Sequence, residues 1–127
     1  GGSFAGRQYL SPVTVALMTS NQVPADAMAK YWGVNSVGLG YGMGVAPVID
    51  TGAAAQAGMD GDYAWGGLLG TQWIVSPQSG IVAVLMTQLN PVGNTEAQRT
   101  YADFRNLLYA TVATLDPVGK PAGTGEH

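Results

Sequence analysis

A chain of 127 residues accommodates one domain around one core. Five Lys or Arg against eight Asp or Glu, with no basic cluster, give a phosphate backbone nothing to hold, so nucleic acid is excluded as an expected partner. Charged residues make up only 10% of the chain where soluble domains average about a quarter, and 46% is hydrophobic, so part of the surface is expected to lie under further protein.

In chain order, the first marked element is a helix over residues 12–20. Ser11 can cap it, Pro12 fits its first position, and Leu10 can staple onto Val15. Residues 21–33 contain Pro24 and Gly33 with little periodicity and read as a loop, in which 25–30 could form a short helical turn. Residues 37–45 alternate strictly, with Gly38, Gly40, Gly42 and Gly44 on one face and Leu39, Tyr41, Met43 and Val45 on the other, which predicts a strand. Glycine weakens strands, so the bare face points to another backbone or a bulky ring in close approach. The spacing fits neither G-x-G-x-x-G nor a P-loop, and no Lys follows.

Residues 51–61 are small and Gly-punctuated, and Met59-Asp60-Gly61-Asp62 reads as a turn between strands rather than a calcium loop, which would need a spaced oxygen series and a closing Glu. Three strands follow at hairpin spacing, over 63–69, 71–75 and 81–88, with a turn at Ser76-Pro77-Gln78-Ser79-Gly80. The run 81–86 is continuously apolar, which predicts a strand in mid-sheet buried on both faces. It is also the longest aliphatic run, far below the roughly 20 residues that span a bilayer, and no membrane partner is expected. A helix over 96–114 comes last, with Thr95 and Gln98 as a capping box and a stripe of Ala97, Tyr101, Phe104, Leu108 and Val112. The tail from Asp116-Pro117 onward is rich in Gly and Pro and is expected to be extended or disordered. The domain thus occupies 1–114 and the tail 115–127. The fold class is α+β, an antiparallel sheet with flanking helices.

Catalytic residue types are scarce. The one histidine, His127, is on the tail, there is no cysteine, and the carboxylates are scattered in turns and at helix ends. No metal site and no cofactor is expected, because His, Cys and carboxylates do not cluster at ligand spacing. Ser11, Ser20, Ser36, Ser76 and Ser79 read as caps and turn residues, and none stands in G-x-S-x-G or S-x-x-K. The absence of cysteine leaves the compartment open.

The run Tyr63-Ala64-Trp65-Gly66-Gly67-Leu68-Leu69-Gly70-Thr71, then Trp73-Ile74-Val75-Ser76-Pro77, Gly80-Ile81-Val82-Ala83-Val84 and Met86-Thr87-Gln88, resembles the C-terminal strands of the beta-lactamase and penicillin-binding-protein superfamily. It is closest to the beta-lactamase-like carboxylesterases, whose third motif is often W-G-G where the lactamases have K-T-G. Leu10-Ser11-Pro12 with Val15-Ala16-Leu17-Met18-Thr19, and Gly38-Leu39-Gly40-Tyr41-Gly42, are similar to two upstream segments of that family. The resemblance covers about residues 8–114.

The resemblance implies the C-terminal portion of a serine hydrolase working through an acyl-enzyme. It also implies that the nucleophilic Ser and its Lys, in S-x-x-K, and a Tyr-x-Asn base motif come from an N-terminal portion of the same hydrolase. Neither motif stands in this chain, where Thr19-Ser20-Asn21 at a helix end is the one [ST]-x-N match. That portion is the expected partner, whether cleaved off or a separate chain.

By the same resemblance Trp65, Gly66 and Gly67 form the substrate-binding wall, and the backbone N–H of Leu68 is an oxyanion donor. Adjacent glycines would let a substrate carbonyl approach. Tryptophan in place of the lactamase lysine removes a cation that would pair with a substrate carboxylate, which favours small uncharged esters over lactams. Beta-lactam, D-amino peptide or amide hydrolysis, acyl transfer to an alcohol, and a non-catalytic binding module stay open as alternatives.

Overall fold

The structure is a computed structural model that describes residues 1–24, 26–32, 36–90 and 92–112. It opens with a hairpin of β1 (Ser3–Phe4) and β2 (Arg7–Gln8), joined by Ala5 and Gly6, both at positive φ as a two-residue hairpin turn of the primed type requires. α1 (Pro12–Thr19) follows, capped by Ser11, whose Oγ accepts from Thr14 N at 3.0 Å. The chain then forms α2 (Ala27–Trp32), where the sequence predicted a loop with at most one helical turn. Its first turn is closed by Ala27 N donating to Pro24 O, so Pro24 ends the preceding loop and leads into a helix.

The central sheet has four antiparallel strands in the order of the chain: β3 (Ala46–Pro47), β4 (Tyr63–Gly66), β5 (Gln72–Ser76) and β6 (Ile81–Leu85). The predicted meander is therefore present, with β5 between the other two of its strands. A short helix, α3 (Thr51–Ala54), capped by Asp50, occupies part of the stretch read as a turn. α4 (Thr95–Val112) closes the described chain. Its cap is Asn94, whose Oδ1 accepts from Ala97 N, and not the expected Thr95. The tail prediction for 115–127 lies outside the described residues.

Two strand predictions need correction. Residues 37–45 are not a strand, because Gly38 and Gly44 take φ of +77° and +81°, which breaks the pleat that strict alternation presumes. Only Leu39 bridges to Val48, and Gly40 N donates to Pro47 O, so the segment lies irregularly along β3. The close approach expected on the glycine face does occur: a Cβ on Gly42 would stand 2.3 Å from Met18 O, and one on Gly40 would stand 2.7 Å from the Asn21 side chain.

β6 is the second correction. It lies at the end of the sheet and is half-buried on one face only, with Val82 and Val84 70% and 55% exposed. A run of six apolar residues carries no alternation to show which face is covered, and α4 supplies only one cover. Strand register and α4 together set the core. Rows Ala64–Ile74–Ala83 and Gly66–Gln72–Leu85 share one face with the buried Asp62, whose carboxylate accepts from Tyr109 of α4. Ile74 and Ser76 on that face are buried, as are Ala97 and Arg105 on α4.

Candidate functional site

β4 runs into a tight turn, and that turn decides which backbone amides are free. Gly67 N donates to Thr71 O at 2.7 Å and Gly70 N to Gly67 O at 3.0 Å, so the turn spans Gly67 to Gly70. Gly70, at φ +80°, meets Leu89 O so closely that a Cβ there would stand 2.5 Å from it. Leu68 is the first inner residue of the turn, and among the described residues its N–H donates to no backbone carbonyl. The sequence placed Leu68 on a strand reaching 69; the strand stops at Gly66, and the turn is what leaves the amide unpaired. Its side chain is 73% exposed.

Trp65 and Tyr63 face away from α4, where Trp65 meets Tyr41 edge-on at 5.3 Å between ring centroids and Tyr63 meets Trp73 at 6.2 Å. Tyr41 is held by its neighbours: its N–H donates to Asn21 Oδ1 at 3.0 Å and its carbonyl accepts from Gln22 N at 2.8 Å. The missing side chains of Gly40 and Gly42 allow Asn21 and the end of α1 to come this close. Small residues around Tyr41 thus fix the ring that braces Trp65.

Trp65, Gly66, Gly67 and Leu68 border one cavity of about 710 Å³, which extends past Gln72 to Tyr101 and Arg105 of α4 and to Met28 of α2. The structure therefore brings together all four residues singled out in the sequence. A second cavity of about 470 Å³, bounded by Val23, Pro24 and Tyr41 with Asp26 and Lys30, contains none of them.

Sequence reasoning missed a polar cluster at the back of the larger cavity. Arg105, 3% exposed, donates through Nε to Ala57 O and through Nη1 to Tyr101 Oη at 3.3 Å, and stands 5.6 Å from the Tyr109 ring centroid. The fully buried Asp62 accepts from Met59 N at 2.8 Å and from the Tyr109 hydroxyl. Burial, then the hydrogen bond to Asp62, raises the Tyr109 hydroxyl well above the ordinary tyrosine value. The signal available was the i, i+4, i+8 spacing of Tyr101, Arg105 and Tyr109 on α4. An Arg inside a helical apolar stripe calls for a buried partner.

No family model and no curated protein sequence matches the chain. Solved structures do. EstCE1, a hydrolase with promiscuous acyltransferase activity, superposes with a TM-score of 0.67 and 30% identity, over 82% of this chain and 26% of that one. This chain shares the beta-lactamase-like fold. A LovD6 mutant of simvastatin synthase (LovD) from Aspergillus terreus shares the fold at TM-score 0.66 and 19% identity, over 84% of this chain and 30% of that one. Unliganded LovD does so at 0.62 and 20%, over 81% and 30%. The chain thus spans between a quarter and a third of the length of these beta-lactamase-like structures. Its α+β arrangement matches the C-terminal part of their fold.

Proposed function

We propose that the chain is the C-terminal portion of a serine hydrolase that acts on ester substrates through an acyl-enzyme. The nucleophilic Ser and its Lys are supplied by an N-terminal portion, as a separate chain or a cleaved segment. The observation that carries this reading is the unpaired Leu68 N–H beside a cavity walled by Trp65, Gly66 and Gly67. An ester carbonyl laid against the two glycines presents its oxygen to that amide, and the tetrahedral intermediate formed by attack of the Ser leaves its oxyanion there. Trp65, braced by Tyr41 on the face away from α4, adds no cation beside the Leu68 turn. The N-terminal portion covers the exposed face of the sheet.

The test uses the hydrolase assembled with its nucleophile-bearing portion. Leu68→Ala keeps the N–H and is expected to retain activity on p-nitrophenyl butyrate, whereas Leu68→Pro deletes the donor and is expected to lose roughly 10² to 10³ in kcat. Size and circular dichroism establish that the proline variant still assembles. Parental turnover by an assembled Leu68→Pro variant refutes the oxyanion role. The chain alone is expected to turn over neither p-nitrophenyl butyrate nor a chromogenic cephalosporin.

A second reading, acyl transfer to an alcohol, is favoured by the likeness to EstCE1, a hydrolase with promiscuous acyltransferase activity. Partition of the acyl group between water and an added alcohol separates the two.

A further inference from the structure

The lining of the larger cavity is not uniformly apolar. Gln72 on β5 stands directly opposite Gly66 in the β4–β5 register. Its carboxamide lies across the glycine, so that a Cβ on Gly66 would stand 2.5 Å from Oε1 and 2.6 Å from Nε2. Gly66 therefore does two things: it bares the backbone, and it leaves a seat for an amide side chain on the cavity wall. Gln72 is half-buried, and among the described residues its carboxamide has no hydrogen-bond partner. A polar group in such a lining is completed by whatever fills the cavity, and there it fixes the orientation of the occupant.

Arg105 borders the same cavity but is a poor reader of charge. Two of its donors are engaged with Ala57 and Tyr101. The buried Asp62 lies on the same side, since a Cβ on Gly58 would stand 2.9 Å from Arg105 Nη2 and 3.4 Å from Asp62 Oδ2. A neutral hydrogen-bonding group, and not a carboxylate, is what this wall accommodates.

We propose that Gln72 reads a neutral oxygen on the acyl chain of the substrate, several bonds from the ester carbonyl, and so selects oxygenated over plain alkyl acyl groups. This inference rests on the ester-hydrolase reading above. Gly66, under the carboxamide, is the last residue of β4 and Leu68 is an inner residue of the turn that follows, so the oxygen read by Gln72 and the one held at Leu68 are different atoms of the substrate.

The experiment compares kcat/KM for p-nitrophenyl 4-oxo-, 5-oxo- and 6-oxoheptanoate with that for p-nitrophenyl heptanoate, using the assembled hydrolase. At least one oxo ester is expected to be preferred by about fivefold to tenfold, the scale of one net hydrogen bond. That ratio is expected to fall to about 1 in Gln72→Leu. Gly66→Ala, whose Cβ takes the space of the carboxamide while Gln72 remains, is expected to lower it too. Being internal to each variant, the ratio is insensitive to partial loss of folded enzyme, and Gly66→Ala carries the test if Gln72→Leu does not assemble.

No preference in the parent, or a preference that survives in both variants, overturns the role of Gln72. A preference for the mono-p-nitrophenyl ester of pimelate overturns it as well, because a carboxylate is then what the wall reads. Labelling by a serine-directed phosphonate keeps the two levels apart. A labelled enzyme without oxo preference refutes Gln72 alone, and an assembly that is not labelled refutes the hydrolase reading and this inference with it.

Discussion

The two faces of the four-stranded sheet are built from alternate residues of the same strands and meet opposite surroundings. On one face Asp62, Ile74 and Ser76 are completely or almost completely buried under α4 and the 57–62 loop. On the other, Tyr63, Trp65, Trp73, Val75, Val82 and Val84 form an aromatic and aliphatic surface on which Val82 and Val84 are largely exposed. α1 repeats the pattern: all but two of its eight residues are apolar by side chain, none is buried, and Val13 is 79% exposed. Burial, not composition, separates the two faces, because Val82 and Val84 are as apolar as Ile74. Part of the chain's exposed apolar surface thus lies on one side of the sheet, and that side is where the proposed N-terminal portion fits.

The largest effect is expected where the contrast is sharpest. Ile74→Ala leaves a cavity in the covered face and is expected to cost roughly 2 to 5 kcal/mol in urea unfolding. Val84→Ala on the open face is expected to change the stability of the chain by less than about 0.5 kcal/mol. In the complete assembly the same Val84→Ala substitution is expected to cost more than about 1 kcal/mol, as burial of valine does. An equally small effect in both settings removes the open face from the interface.

The polar side of the covered face gives the next effect. Tyr109→Phe takes a donor from the fully buried Asp62, at a cost of about 1 to 3 kcal/mol. The pH dependence follows from the raised Tyr109 value. Folding holds its proton more tightly than the unfolded chain, where tyrosine titrates near about 10. Its contribution is fully present below that value and is lost as pH rises through the folded value. Stability is expected to fall with pH on the alkaline side, and less steeply in Tyr109→Phe. Parallel alkaline profiles would show that Tyr109 is not the group responsible.

The same contrast explains what the sequence disclosed. α1, the meander and α4 were legible because Ser11-Pro12, the hairpin turn at 76–80 and the stripe from Ala97 to Val112 are local patterns. The grouping of Trp65, Gly66, Gly67 and Leu68 at one cavity was legible through resemblance, since no spacing in the chain singles out a free amide in a turn. Residues 37–45 misled because alternation reports which side chains are small and not the sign of φ, and Gly38 and Gly44 use positive φ. α2 and α3 are too short to show a period. The run 81–86 was over-read because an unbroken apolar strand looks the same whether its second cover is present or not. Arg105 and Tyr109 are a helical turn apart on α4, but Asp62 meets them only through tertiary structure, 47 residues from Tyr109 and beyond the reach of a local pattern.

The smallest effect separates two aspartates at positions 60 and 62 that both accept from a hydroxyl. Asp62 is buried and takes its bond from Tyr109, whereas Asp60 is in solvent and takes one bond from Thr51 Oγ1 and one from Thr51 N at 2.8 Å. Thr51 stabilises the charged form, its hydroxyl first and its amide second, and so holds the Asp60 carboxyl below its ordinary value. The sign is the reverse of that for Tyr109. The contribution is present above the unfolded carboxylate value of about 3.9 and is lost as pH falls through the folded value. Thr51→Val deletes the hydroxyl and keeps the amide, so the Asp60 midpoint, followed by carbon-13 NMR of its carboxyl, is expected to move up part of the way to the ordinary range. Thr51→Ser keeps both donors and is expected to leave it low. A midpoint unmoved by Thr51→Val would assign the depression to the amide alone, solvent having cancelled the hydroxyl at Asp60.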